Sequence, residues 1–362
     1  MSELEQGNDF KNIVLNSTPL IDVRAPIEFE KGAFPNAINL EIMNDEERHI
    51  VGIAYKKKGN AEAMKLGYSL VSGNTKEHRI AAWKDVIKTN PQALLYCFRG
   101  GSRSRISQEW LHEAGVDIVR IKGGYKAFRN YLMTQVEEAP KHFSPIIIGG
   151  RTGSGKTILL KKVQNSIDLE KLANHRGSSF GRKVTPQPSQ IDFENALAYD
   201  LIKKLNKGFD TLVFEDEGKA VGKAYLPPSL TQYLQEAPLC ILETSTQERI
   251  EITFIEYVLN SQSEYEKYSD NGFELWCSDM QKSMWRIRKR LGGKRYKILE
   301  TLLLDAIDTQ ITSNDLQAHK IWIEYLLSEY YDPMYDYQIQ KNKHRIVMRG
   351  SQEEILEYLN VK

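Results

Sequence analysis

Residues 145–157 read PIIIGGRTGSGKT, a short apolar run that breaks into a glycine-rich turn and then into a helix-forming stretch. Within it Gly150, Gly153, Ser154, Gly155, Lys156 and Thr157 satisfy the pattern G-x-x-x-x-G-K-[ST]. This run constrains the fold more than any other, because the pattern works only where a strand ends, the backbone wraps an oxyanion and a helix begins at once. It predicts an α/β unit. The glycines let successive N–H groups converge, Lys156 bridges phosphate oxygens and Thr157 is placed to ligate Mg²⁺. Two linked phosphates are specified and no base, so ATP fits, and so does another diphosphate whose pyrophosphate is a leaving group. A nucleotide hydrolase also needs an acid at a strand end. Residues 211–217, TLVFEDE, offer Glu215, Asp216 and Glu217, and these equally suit a solvated salt-bridge cluster.

The chain has 362 residues, room for two or three compact units. Ahead of the phosphate motif, apolar strands at 20–23, 38–40, 93–97 and 118–121 alternate with helical patterns at 80–88 and 104–114, the rhythm of an α/β domain with a parallel sheet. Residues 137–145, polar and proline-flanked, read as a linker. Beyond it a helix at 157–164 and strands at 211–214 and 239–242 continue the α/β pattern. From 249 the pattern turns helical, at 278–291, 296–308 and 315–329, around a polar stretch at 260–271, and a strand at 345–348 and a helix at 353–359 close the chain. The expected division is 1–138, then a P-loop domain over 139–248, then a mainly helical region over 249–362 whose last strand and helix return to the P-loop domain.

Lysine and arginine total 49 against 48 acids, a net charge of +1, which excludes a uniformly basic nucleic-acid binder or an acidic-tail protein. Any anion-binding surface must be local. Residues 282–297, KSMWRIRKRLGGKRYK, hold eight basic residues and no acid, marking Lys282, Arg286, Arg288, Lys289, Arg290, Lys294 and Arg295 as candidates for RNA contact. Trp285 and Tyr296 can stack on bases there, although at helical spacing Trp285 equally suits the core. A second cluster, HRGSSFGRK at 175–183, puts Arg176 where it can close over a phosphate; its plain alternative is a surface loop. Three cysteines are too few for a disulfide framework and lack zinc spacing, so no structural metal and a reducing compartment are expected. With no secretory signal and no apolar run near the roughly 20 residues of a membrane helix, a cytoplasmic chain is expected.

Residues 94–105, LLYCFRGGSRSR, place Cys97 at a strand end just before a helix. Backbone N–H groups there form an anion nest, Gly100 and Gly101 allow the tight path, and Arg99 and Arg103 add positive charge, a setting that favours a thiolate or persulfide-like anion. Otherwise a strand-end cysteine is a small buried hydrophobe, the reading that suits Cys240 and Cys277.

The stretch 20–39, LIDVRAPIEFEKGAFPNAIN, together with the Cys97 to Arg103 loop and IKGGY at 121–125, resembles rhodanese domains over most of 15–130. The resemblance implies that Cys97 carries or handles a chalcogen atom, with Asp22 and Arg24 as structural anchors. Residues 49–73 exceed a minimal rhodanese and read as a partner-recognising insertion or a solvated helical face. Joined in this order to the phosphate motif, to LANHRGSSFG at 172–181 and to the basic stretch, the chain resembles the bacterial tRNA 2-selenouridine synthase family nearly end to end. That implies a transferase acting on tRNA with 2-thiouridine at the wobble position. Its co-substrates would be geranyl diphosphate and selenophosphate, with no tightly bound cofactor, Mg²⁺ possible and no membrane. The diphosphate would lie against Gly150, Gly153, Ser154, Gly155, Lys156, Thr157, Arg176, Glu215 and Asp216. An apolar pocket for the geranyl chain is required, and no run of residues identifies its lining. Two alternatives stay open: an RNA-associated P-loop kinase or NTPase with a rhodanese accessory domain, and a non-enzymatic selenium carrier.

Overall fold

The computed structural model describes residues 6–361, which divide into two compact units: the first holds residues up to 139 together with 189–207, the second 140–188 together with the chain from 208 onward.

In the first unit, β1 (Gln6–Gly7), β2 (Leu20–Asp22), β3 (Ala37–Asn39), β4 (Leu94–Tyr96) and β5 (Val119–Ile121) form a parallel sheet in the order β1-β5-β4-β2-β3. Every residue of β2 is buried, as a parallel strand covered on both faces requires. Ile21, Val23, Trp83, Leu95, Ile106 and Leu111 share one core, and Trp83 Nε1 donates to the Leu40 carbonyl at 2.8 Å. The 49–73 insertion lies largely in two helices, Asp45–Lys58 and Asn60–Leu70, the first opened by an Asn44–Glu47 capping box. The helix expected at 80–88 is the end of a longer one, Gly73–Thr89.

Two expectations about organisation change. The stretch 137–145 does carry the division between the units, which falls between residues 139 and 140, but it is ordered rather than a loose linker: helix Gly124–Glu138 runs into a 3₁₀ turn at Ala139–Lys141 and a strand follows at Ser144, with Ala139 and Phe143 buried. Helix Gln190–Asn206, inside the 139–248 range, packs in the first unit. Its Asp192 accepts from Ala33 N at 2.7 Å, Asn195 Nδ2 donates to the Ala33 carbonyl at 2.6 Å, and Arg129 donates to Asn195 Oδ1 at 2.6 Å and pairs with Glu194.

In the second unit, β6 (Ser144–Gly149), β7 (Ser166–Ile167), β8 (Thr211–Glu215), β11 (Leu239–Leu242) and β12 (Ile346–Gly350) form a parallel sheet in the order β12-β11-β6-β8-β7, while β9 (Ala220–Val221) and β10 (Ala224–Tyr225) make a separate hairpin. The closing strand β12 pairs with β11, and helix Gln352–Val361 follows. The chain between β11 and β12 is helical, with its own core of Trp276, Met280, Ile287, Leu299, Leu303, Trp322 and Ile323. The polar stretch at 260–271 contains helix Ser261–Tyr268, because Ser261, Gln262 and Tyr265 turn inward and Gln262 exchanges amide hydrogen bonds with Gln310. The helix after the phosphate motif is shorter than expected, Lys156–Leu160; the Ser166 hydroxyl bonds to the Leu160 or Val163 carbonyl, both 2.8 Å away, where the chain turns toward β7. The α/β class therefore holds in both units, with the long helical region inserted in the second.

Candidate functional sites: a thiol loop and a phosphate cradle

Cys97 follows β4 directly and is 3% exposed. Its thiol donates to Ser104 Oγ at 3.2 Å, and that hydroxyl donates to the Gly101 carbonyl at 3.2 Å. The loop is pinned from the opposite turn: Tyr125 N donates to the Cys97 carbonyl and Lys126 N to the Phe98 carbonyl, each at 2.9 Å, and Arg120 donates to the Gly100 carbonyl at 2.8 Å. At Gly100 φ is +63° and a Cβ would sit 2.8 Å from Gly123 N, so only glycine follows this path. Helix Ser102–Glu113 starts next, its first N–H groups without intrahelical partners, as at any helix start.

The two arginines of this loop differ. Arg99 is exposed on the rim, whereas Arg103 makes a two-pronged bond to Glu28 at 2.5 and 3.1 Å, and Arg48 reaches Glu28 at 3.0 Å. Burial pushes the Glu28 carboxyl up, but Arg103 and Arg48 more than offset this and hold it below its ordinary value. Arg103 thus orders the loop through Glu28 rather than standing free at its rim. Asp22 and Arg24 are buried together, the guanidinium bonding to Asp22 at 2.6 Å and to the Gly32 carbonyl at 2.9 Å while lying 4.0 Å from the Tyr125 ring centre. That is an anchor, since a buried pair with its donors satisfied fixes the loops it joins.

In the second unit, the loop after β6 is held by the helix Thr246–Phe254. Buried Arg249 donates to the Thr152 carbonyl at 2.9 Å and is itself gripped by Asp332 at 2.5 and 3.1 Å. Thr244 donates to the Ser154 carbonyl at 2.9 Å. Gly153 has φ +77°, and a Cβ there would lie 2.8 Å from the Arg249 carbonyl. Lys156 Nζ folds over the loop onto the carbonyls of Gly150 at 3.0 Å and Arg151 at 3.3 Å. The Thr157 hydroxyl lies 3.1 Å from Glu170 Oε2 and 3.3 Å from Glu215 Oε2.

Among the acids left open by sequence, Glu215 is the one within reach of Thr157; Asp216 continues the strand edge, its N–H bonded to Ile148. Glu170, which no sequence signal marked, joins from beyond β7, and its N–H donates to Glu215 Oε1 at 3.2 Å. Glu170, Glu215 and Glu217 bring one carboxylate oxygen each within 4.8 Å of one another. Burial drives all three upward, Glu170 to about 7 and Glu217 to about 8, with Glu215 raised further by Glu170. Burial also raises Asp216, against Arg345 and Lys156. Three crowded carboxyls, Glu215 buried and Glu170 and Glu217 half-buried, share protons or a cation beside a hydroxyl at neutral pH, and hard oxygen donors of this kind suit Mg²⁺.

The 175–183 loop is largely ordered by its own contacts. His175 pairs with Arg182 in a single β-bridge, Phe180 is in the core, and Arg176 bonds to Glu264 at 2.9 Å. Burial, then the cations Arg182, Arg286, Arg176 and Lys183, lower His175 to about 4, so it is neutral at pH 7.

The basic stretch spans helices Gly272–Leu291 and Gly293–Ser313. Lys282, Arg286, Lys289, Arg290 and Lys294 are exposed, Arg295 pairs with Glu329 at 2.8 Å, and Arg286 donates to the Ser179 carbonyl at 3.2 Å. Trp285 is 54% exposed rather than in the core, with the Arg288 guanidinium 3.7 Å from its ring centre and Tyr296 edge-on at 5.9 Å. Among the described residues no helix is long and apolar enough to cross a membrane.

The family model for the rhodanese-like domain matches residues 1–131, and that for the tRNA 2-selenouridine synthase AAA domain matches 143–362. The chain is 64% identical to the tRNA 2-selenouridine synthase of Sulfurovum sp. over 99% of both chains. It is 47% identical to those of Marinobacter nauticus, over 99% of this chain and 98% of that one, and Hydrogenovibrio crunogenus, over 98% of each. A thiol loop and a phosphate cradle in one order, matched along essentially the whole length, leave one conclusion: the chain belongs to the tRNA 2-selenouridine synthase family.

Proposed function

We propose that this chain converts wobble 2-thiouridine in tRNA to 2-selenouridine through an S-geranyl intermediate, with geranyl diphosphate and selenophosphate as co-substrates. The observation that carries this reading is a pinned phosphate loop in the same chain as a rhodanese thiol loop. In the first step the thiouridine sulfur attacks the geranyl carbon bonded to oxygen, the C–O bond breaks, and pyrophosphate leaves with the electron pair. Gly150, Gly153, Ser154 and Gly155 bind the departing phosphates through the backbone, and Lys156 exchanges its loop carbonyls for their oxygens. Thr157, Glu170, Glu215 and Glu217 would hold Mg²⁺, which when bound neutralises charge on the pyrophosphate. In the second step the selenium of selenophosphate attacks C2 of the base, the C2–S bond breaks and geranylthiol leaves with the electron pair; water then cleaves the P–Se bond and phosphate departs, with Cys97 and the N–H groups of its loop holding the chalcogen anion and Arg99 adding charge at the rim. The exposed cations and Trp285 on the helical region bind the RNA, the cations at phosphates and the indole against a base.

Mass spectrometry of tRNA nucleosides after incubation with both donors tests this. Lys156→Ala should stop geranylation, and Cys97→Ala should stop selenium entry while S-geranyl-2-thiouridine accumulates. If both variants made 2-selenouridine at the wild-type rate, the assignment would be wrong. Because acids flank Thr157, an RNA-dependent NTPase is the second reading; ATP turnover without prenyl transfer would favour it.

A further inference from the structure

The first unit contains a cavity of about 510 Å³ that the two-step scheme leaves without a role. Its walls include Ile42, Val51, Met64, Val71, Ile106 and Trp110, and its lip includes Ser102 and Arg103, the first residues of the helix that follows the Cys97 loop. The helical insertion builds its other side. Helix Asp45–Lys58 has no fully buried side chain, and its cavity-lining Ile53 and Tyr55 are 41% and 59% exposed. A helix that carries apolar residues and seats none of them in a core is shaped to contact something else. The volume falls in the range of about 300–1,000 Å³ typical of small-molecule sites. At the mouth stands Lys56, followed by Lys57 and Lys58 in the same last helical turn, a basic margin for a ligand attached to a polyanion.

We propose that this cavity receives the prenyl chain of the S-prenylated wobble nucleoside, so that the carbon to be substituted faces the Cys97 loop. The inference rests on the two-step reading and adds to it the seat of the leaving group's chain. An apolar wall, a basic mouth and a lip on the thiol-loop helix match the three parts of that substrate: a ten-carbon hydrocarbon, a phosphate backbone and a C–S bond. The cavity beside Glu215 and Glu217 in the second unit is a poorer match: three acids, Glu215, Asp216 and Glu217, stand in its wall, whereas in the first cavity Glu28 is paired with Arg48 and Arg103.

The test compares two synthetic anticodon stem-loops, one with S-geranyl-2-thiouridine and one with S-methyl-2-thiouridine, binding to the full chain. Neither RNA requires the first step, so the result is independent of whether the chain makes the intermediate. The wild type should bind the geranyl RNA at least tenfold more tightly. Ala63→Phe, which fills the cavity from a buried wall position, and Met64→Glu, which charges it, should bring the ratio toward one while leaving the S-methyl affinity unchanged. The unchanged S-methyl affinity reports that each variant is folded, and pyrophosphate release from geranyl diphosphate should also persist in both. Equal affinities in the wild type, or a preference that survives both substitutions, would overturn the proposal and place the chain elsewhere. Should the wild type show the preference but form no S-geranyl nucleoside from geranyl diphosphate, the two-step reading fails while the cavity assignment stands.

Discussion

The thiol loop and the phosphate cradle are the same device used twice. Each leaves the middle strand of a five-stranded parallel sheet, β4 in one unit and β6 in the other, and each turns through positive-φ glycine into a helix. That geometry gathers backbone N–H groups and so favours an anion in both places. The flanking charges then separate them. Around Cys97 an acid offsets much of the positive charge: Glu28 takes both Arg103 and Arg48, Arg99 stays exposed, and the side chain at the turn is a thiol. Around Thr157 the acids are in excess, with Glu170, Glu215 and Glu217 close together, and the cation Lys156 rests on loop carbonyls with its Nζ 5.6 Å from the Tyr335 ring centre. A common backbone path sets where an anion sits; under the proposed function the surrounding side chains decide whether that anion is made there or leaves from there.

The hardest way to break this comparison is to remove each reactive group. Loss of one preorganised contact to developing charge costs about 10²–10³ in rate. Lys156→Ala should therefore lower pyrophosphate release from geranyl diphosphate at least ~100-fold. Cys97→Ser should leave that release within about twofold, because on the proposed route the thiol takes no part in prenyl transfer. Selenium incorporation should be lost in both, and supplying RNA already carrying S-geranyl-2-thiouridine should restore it in Lys156→Ala alone. Equal effects of the two substitutions on pyrophosphate release would end the division of labour.

The second contrast is in pH. Glu170 and Glu217 have folded-state values near 7 and 8, above the ordinary carboxyl value of 4.5 that the unfolded chain would show. The folded form therefore binds protons that the unfolded form has lost. The stabilisation is complete below about 4.5 and disappears as pH rises through 7 to 8. Glu28, held below its ordinary value, acts oppositely: its contribution is complete above 4.5 and is lost in acid. Without divalent cations, unfolding of the second unit should move to lower temperature between pH 6 and pH 9. Mg²⁺ should reverse this by several degrees at pH 8 and by little at pH 5.5. Glu215→Gln should abolish most of the Mg²⁺ effect. A shift of the same size at both pH values would mean that cation binding does not involve these acids.

Legibility followed the kind of interaction. The run 239–242 coincides with β11 residue for residue because a strand buried on both faces must be apolar throughout. The two loops were readable because glycine, cysteine and lysine are demanded locally by the backbone path and the chemistry. Helix Gln190–Asn206 has an ordinary apolar face, with Phe193, Leu197 and Leu201 buried, and nothing in that face says which of two cores it serves. Glu170 is equally silent: it reaches Thr157 only because β7 lies beside β8. Trp285 was decidable in principle. The buried positions Met280, Met284, Ile287 and Leu291 mark the inner stripe, and residue 285 lies about 100° round from 284.

That exposed indole supplies the finest test. Trp285 carries Arg288 over its face and sits among exposed cations in the second unit, and it belongs to neither chemical loop. A base stacked on an aromatic ring is worth about 1–3 kcal/mol, so Trp285→Ala should weaken tRNA binding roughly five- to a hundredfold. Since neither loop changes, both reactions should rise in KM by a similar factor with kcat nearly constant. Smaller still are the single charges. Lys289→Ala should cost severalfold in affinity and reduce the salt dependence by about one unit of slope. Arg295→Ala should do less, because Glu329 already neutralises that guanidinium in the free protein and RNA would first have to displace it. The comparison of loops is sharpened if Trp285→Ala raises KM alike for prenyl transfer and for selenium entry, for then one RNA-binding surface serves both centres. If only prenyl transfer responds, the thiol-loop unit must bind the RNA through contacts of its own, with the basic turn at Lys56, Lys57 and Lys58 the first place to substitute.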